Sequence, residues 1–195
     1  MGYLLTKNGK RQEAIEFYKK ALKFDPHEHE SWIEYASLQE QFDLSQSLYA
    51  YEKALEVLQN IGGDIKPEIY NNIGVLNMRL ENYDQALISL NKALEMSLSS
   101  DEPRLDNGSA KVIFNTYNFI LFKYLQYTIQ FNMGILFEES NRLKEANECY
   151  KRIILMNPFY TDAYLRLAFM AFKRGSYIKA LEYTEVIQKN KAPIY

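Results

Sequence analysis

Few residues in this chain could do chemistry, and each cluster points to a different kind. His27-Glu28-His29-Glu30 holds both histidines of the chain and has the composition of a metal site. A zinc site needs further ligands at a fixed spacing, and none accompanies this cluster. Asp25-Pro26 just before it marks a turn, so the cluster reads as a solvated turn with His29 opening the next helix. Cys149 is the only cysteine, which excludes an internal disulfide and makes a reducing compartment the natural one. No histidine or aspartate has a definable spacing to it, which leaves it a packing role. The sequence has no glycine-rich phosphate loop and no G-x-S-x-G nucleophile motif, and its carboxylates fall on solvent-like helix faces. The reading is a non-enzyme with no catalytic residue, no cofactor and no metal. The chemistry that remains is recognition, through polar residues recurring at one fixed place: Asn72, Asn132 and Arg166.

A repeat positions those residues. Counting from Tyr127, Met133 and Gly134 fall at places seven and eight, Leu143 at seventeen, Ala146 at twenty, Tyr150 at twenty-four, Ile153 at twenty-seven and Pro158 at thirty-two. A second count from Thr161 puts Tyr164 at four, Leu167 and Ala168 at seven and eight, Tyr177 at seventeen, Ala180 at twenty and Ile187 at twenty-seven. The period is thirty-four, so the pattern resembles a tetratricopeptide repeat. Small residues at eight and twenty let two antiparallel helices approach, while large ones at four, seven, seventeen and twenty-four fill the space between them and against the next pair. Pro67 opens a third copy, with Tyr70, Ile73, Gly74, Tyr83, Ala86, Leu90 and Ala93 in register. His29 opens a fourth with Trp32, Tyr35 and Ala36, but Tyr51 and Ala54 arrive one residue early, which places a deletion in the turn near Gln41 to Leu44. Ala14, Tyr18, Ala21 and Pro26 are the second half of a fifth copy.

The expected fold is all-α, a tetratricopeptide-repeat α-solenoid of about five antiparallel helix pairs in a right-handed superhelix, uncapped at both ends. Repeats are expected at about 1–28 (partial), 29–61, 67–100, 127–160 and 161–194, with an insertion at 101–126. Expected helices include Arg11 to Phe24, Ser31 to Gln41, Ser45 to Asn60, Glu68 to Leu80, Tyr83 to Met96 and Tyr177 to Asn190. Gly62 or Gly63 is expected to close one of them in the left-handed conformation. Within the insertion, Ser97 to Asn107 reads as a surface loop. Val112 to Gln126, VIFNTYNFILFKYLQ, has no counterpart in the other repeats. It admits three readings: an extra helix or extended flap, a membrane element for which it is too short, or the translation of a retained intron. The ends lack an added capping helix, and the array is expected to be part of a longer one or to need a partner over its ends.

In stacked helix pairs, the first helices line a groove with places two, five, nine, twelve and thirteen. This selects Ile33, Ser37 and Glu40, then Asn71, Val75 and Met78, then Phe131, Ile135 and Glu138, and finally Leu165, Phe169 and Phe172. With Asn72, Asn132 and Arg166 at place six, these form the expected partner-binding groove, which grows more apolar toward its C-terminal end and suits an apolar peptide or helix. The alternative is that some of them pack on neighbouring helices. A co-chaperone clamp that grips a C-terminal carboxylate is disfavoured, because it needs a lysine at place two before Arg166, where Asp162 stands instead and would repel the carboxylate.

The 195 residues include 47% hydrophobic and 14% aromatic side chains, with 16 Tyr and 11 Phe, and the formal net charge is −2. That is ample for packed helix pairs and lacks the basic face of a nucleic-acid binder. No secretory start and no membrane span is read in it.

The order of unusual segments carries a narrower resemblance. ESWIEYASLQEQFDLSQSLYAYEKAL (30–55), KPEIYNNIGVLNMRLENYDQAL (66–87), the interruption at 97–126, and NPFYTDAYLRLAFMAFKRGSYIKALEY (157–183) resemble the tetratricopeptide scaffold subunit of the RNA polymerase II-associated factor complex. The likeness covers the chain apart from Val112 to Gln126, though the long C-terminal remainder of that family has no counterpart here. It implies a nuclear, non-catalytic scaffold that binds the protein subunits of a transcription-elongation complex linked to histone modification, with no direct nucleic acid, membrane or small-molecule partner. The alternatives are an adaptor in an unrelated complex, such as cell-cycle, trafficking or chaperone machinery, and a substrate-recognition arm of a larger enzyme such as a glycosyltransferase.

Overall fold

Small residues opposite large ones at a constant stride fold into helix hairpins. The computed structural model describes residues 1–99 and 109–191, which fall into two units, 1–100 and 101–195. The first contains α1 (Gly2–Lys7), α2 (Arg11–Phe24), α3 (His29–Gln39), α4 (Leu44–Ile61), α5 (Pro67–Arg79) and α6 (Tyr83–Ser99). The second contains α7 (Ser109–Glu139), α8 (Leu143–Met156), α9 (Thr161–Lys173) and α10 (Tyr177–Lys191). No strand occurs among the described residues. Within each unit every helix packs on the next in sequence, so each hairpin is also stacked on its neighbour.

Close approach is visible at place eight. A Cβ on Gly134 would lie 2.5 Å from the Tyr150 ring, and one on Gly74 would lie 2.7 Å from Leu90 Cγ. Ala36 at the same place is fully buried. Full burial of the facing Tyr51, Leu90 and Tyr150 contributes about 1.5–3 kcal/mol for each such large side chain.

Four of the five hairpin turns share one geometry, three residues with the middle one left-handed. These are Gly9 (φ 73°), Glu81 (62°), Asn141 (59°) and Gly175 (75°). The pair with one residue fewer departs from this in an unexpected way. Its deletion was expected in the turn, but α3 has 11 residues where α5 and α9 have 13, and four residues connect α3 to α4. The amides of Phe42 and Asp43 both donate to the Gln39 carbonyl, at 2.9 and 2.8 Å, so the chain leaves the helix early and needs no left-handed residue. Asp43 then caps α4 by accepting from Gln46 N at 3.0 Å. Gly62 ends α4 at φ 62°, with Gly63 N donating to Leu58 O at 2.8 Å, a Schellman-type closure.

Glu28, in the histidine cluster, caps α3 by accepting from the amides of Glu30 and Ser31. Asp25 accepts from His27 N at 3.0 Å. The acids around the histidines therefore hold the turn, and His29 is the first residue of α3.

The insertion is continuous with the first helix of the repeat expected at 127–160. The backbone from Ser109 onward is one helix of 31 residues, so Val112 to Gln126 extends the first helix of that repeat N-terminally and is neither a flap nor a separate element. Part of the loop expected at 97–107 is helical too: α6 runs to Ser99, and Ser97 is buried with its hydroxyl donating to Leu94 O at 2.8 Å. The remainder of that expected loop, from residue 100 onward, lies outside the described residues.

Candidate partner-binding surface

Two polar triads tie successive helix pairs together, one in each unit. In the first, the hydroxyl of Tyr51 on α4 donates to Glu40 Oε1 at 3.0 Å, and Asn72 Nδ2 on α5 donates to the Tyr51 oxygen at 3.1 Å. In the second, the hydroxyl of Tyr150 on α8 donates to Glu138 Oε1 at 2.6 Å, and Arg166 Nη1 on α9 lies 3.7 Å from Glu138 Oε2. Burial first, and then the charge of Glu40, holds the Tyr51 hydroxyl well above the ordinary phenol range. Burial does the same at Tyr150, reinforced by the hydrogen bond to Glu138 and its charge. Both tyrosines therefore act as fixed donors. Asn72 and Arg166, expected to face a partner, are each engaged by the preceding helix pair.

The other expected groove residues divide by exposure. Ile33 is half-buried against the core of the first unit. Asn71 and Met78 are buried, Met78 at 8% exposure, and Val75 is half-buried. Phe131, Asn132 and Ile135 are half-buried. Phe131 packs its ring 5.5 Å from Tyr150 and 5.7 Å from Tyr160, the residue that leads into α9. On α9 the same places are open: Leu165, Phe169 and Phe172 are 57%, 48% and 59% exposed. Spacings of four and three residues put these three on one stripe.

The stripe continues onto α10. Tyr177, expected between the helices of its pair, is instead exposed and meets Phe172 edge-on with ring centroids 5.5 Å apart. Lys173 Nζ sits 4.6 Å over the Phe169 ring, which leaves the stripe apolar with a cationic margin. Ile178 and Leu181 on α10 are also exposed. Repeat position places Tyr177 in the interior, so only the structure reveals it as part of this surface. Chemically the surface can bury apolar area against another chain.

Cys149 is buried, and burial raises its thiol to about 11, which makes it a poor nucleophile. The described residues contain no group of three or more potential metal ligands, and no described helix is long and apolar enough to cross a membrane.

Profiles of the tetratricopeptide repeat match residues 1–28 and 67–99, and a second such profile matches 131–193, together more than half of the chain. Protein CTR9 homolog of Arabidopsis thaliana is 26% identical over 197 residues, covering 93% of this chain and 18% of the relative. RNA polymerase-associated protein CTR9 of Caenorhabditis elegans is 32% identical over 163 residues, covering 80% and 13%. Protein O-mannosyl-transferase TMTC1 of Homo sapiens is 24% identical over 185 residues, covering 95% and 18%. The chain thus spans less than a fifth of each of these relatives. Among solved structures, MamA superposes with a TM-score of 0.74 at 16% identity, covering 98% of this chain and 94% of that one, a likeness of fold.

Proposed function

Because the chain belongs to the tetratricopeptide repeat family, whose members bind other proteins, we propose that it is a scaffold segment of an RNA polymerase II-associated factor complex. The observation carrying this reading is the likeness to CTR9 proteins of a plant and a nematode over 93% and 80% of this chain. In this reading the segment works in the nucleus and catalyses nothing. It holds protein subunits that act in transcription elongation and linked histone modification, and it leaves nucleic acid to them. The partner-binding surface in this reading is the stripe of Leu165, Phe169 and Phe172, extended by Tyr177, which would receive an apolar helix or peptide.

Affinity purification of the full-length protein tests the assignment: polymerase II and elongation factors should be recovered. Recovery of chaperones or motors in their place overturns it. Phe169→Glu tests the surface. Partner binding should fall while helicity by circular dichroism persists, and unchanged binding would move the docking site elsewhere.

The likeness to a human O-mannosyl-transferase over 95% of this chain favours a second reading, a recognition arm of a larger enzyme. A catalytic domain encoded in the same gene would support it.

A further inference from the structure

On the side of α9 opposite Leu165, Phe169 and Phe172, a cleft of about 120 Å³ is lined by Lys151 of α8, Arg174 at the end of α9 and Lys179 of α10, with Asn147, Ser176 and Tyr183. Three cations line it and no carboxylate does. The ion pairs among described residues of this unit, Arg142 with Glu145 and Arg166 with Glu138, lie elsewhere. Arg174 is anchored by Nη2 donating to the Leu143 carbonyl at 3.3 Å, which leaves other guanidinium donors for a ligand.

Ordinary helix electrostatics accounts for only part of this cluster. A cation at the end of α9 complements the helix dipole, and Arg174 fits that role. Lys179 does not, because it sits in the first turn of α10, the positive end of a 15-residue helix that has no acid there. Lys151 lies across the cleft on a third helix, where like charges raise each other's energy. An anion between them would relieve both conflicts.

The repeat does not impose the cluster either. The equivalent cleft among α2, α3 and α4 is lined by Gln12, Lys19, Gln39, Asp43 and Gln46, one cation and one carboxylate. At the corresponding places of the α4, α5 and α6 stack the sequence reads Glu52, Leu80, Asn82 and Gln85, with no cation at all. A cleft of about 120 Å³ has room for one tetrahedral oxyanion.

We propose that this cleft binds a phosphate-class oxyanion, carried on a phosphorylated side chain of a partner polypeptide. Amide donors at the start of α10 and the Lys151, Arg174 and Lys179 charges would take its oxygens. The site is independent of which complex the chain joins.

The test titrates the ¹⁵N-labelled chain with inorganic phosphate and, separately, with a phosphoserine peptide of neutral flanks, at constant ionic strength set by chloride. Saturable amide shifts confined to the 176–179 turn and the neighbourhood of Asn147 and Lys151 are expected, with the peptide at least tenfold tighter than the free ion. Lys151→Ala with Lys179→Ala should weaken both at least tenfold with unchanged helicity. Lys179→Gln alone, read by the phosphate-induced rise in Tm, repeats the test should the double variant be unstable, and loss of that rise is expected. Equal affinity for ion and peptide overturns the peptide-borne source. Unsaturable shifts spread over the exposed lysines of both units, no shifts, or unchanged affinity or Tm rise in the variants overturns the site.

Discussion

The two units make the same inter-pair contact with different charges. Glu40, Tyr51 and Asn72 build it in the first, and Glu138, Tyr150 and Arg166 in the second. The acid and the tyrosine are shared, while the third member changes from an amide to a guanidinium. Tyr51 and Tyr150 are almost wholly buried, whereas the Arg166 side chain remains 40% exposed, so the constant pair sits inside and the variable partner at the rim. In the pair α5 and α6, buried Met78 and Leu90 occupy the acid and tyrosine places. Volume at these two places is thus filled by a polar pair in α3/α4 and α7/α8 and by apolar side chains in α5/α6.

Converting one solution into the other gives the largest expected effect. Tyr150→Leu alone removes ring volume and the donor to half-buried Glu138, a loss of about 2–4 kcal/mol in stability. Adding Glu138→Met reproduces the Met78 and Leu90 arrangement and should restore at least half of it, as read from urea midpoints. No recovery in the double variant would show that the triad contributes more than volume. The glycines facing these side chains sharpen the point with a smaller effect. Gly134→Ala pushes a Cβ into a tyrosine ring pinned by Glu138 and should destabilise by about 1–2 kcal/mol, after the helix-propensity gain is subtracted. Gly74→Ala meets a leucine and should cost less, and the reverse order would break the comparison.

Alkaline titration probes the same two tyrosines together. Their folded pKa values are raised above the ordinary 10.0, so above pH 10 the unfolded chain releases these protons while the folded one keeps them. Their contribution is full below pH 10 and is lost as pH climbs toward the folded values, at up to about 1.4 kcal/mol per pH unit for each tyrosine. Around pH 11 the urea midpoint should therefore fall. Tyr51→Phe and Tyr150→Phe should each flatten that fall by a similar amount, and a slope unchanged by either would deny that burial holds the hydroxyls protonated.

The hairpins were legible because small and large residues at fixed places say which helix faces meet. Arg11 to Phe24 is α2 as expected, and α5 begins and ends within one residue of its expected limits. The extension of α7 was not legible: Val112 to Gln126 is almost wholly apolar, aromatic or Asn, so no periodicity separates helix from flap. The pairing of Arg166 escaped for a different reason. Its partner Glu138 stands on the first helix of the previous pair, and repeat counting assigned both to a groove without asking whether they reach each other. Met78 illustrates the same limit, since place twelve marks a direction on the helix and not whether anything covers it. The lost residue between α3 and α4 was visible, but its location was decided by the amides of Phe42 and Asp43 returning to Gln39.

The smallest expected effect compares the hairpin turns of the two units. Glu81 and Asn141 hold the same left-handed place, at φ 62° and 59°, and both are exposed. A glutamate there strains its Cβ against its own carbonyl, while asparagine tolerates the region better. Glycine removes that strain but enlarges the unfolded ensemble, which offsets part of the gain. Glu81→Gly should therefore stabilise by about 0.5–1 kcal/mol, and Asn141→Gly by a few tenths at most. Both are measurable as shifts in the urea midpoint with an unchanged m-value. Equal shifts would mean that the glutamate side chain is not the source of strain, and that the turn geometry is set by the Glu81 amide donating to Met78 O at 3.0 Å and the Asn82 amide donating to Asn77 O at 2.8 Å.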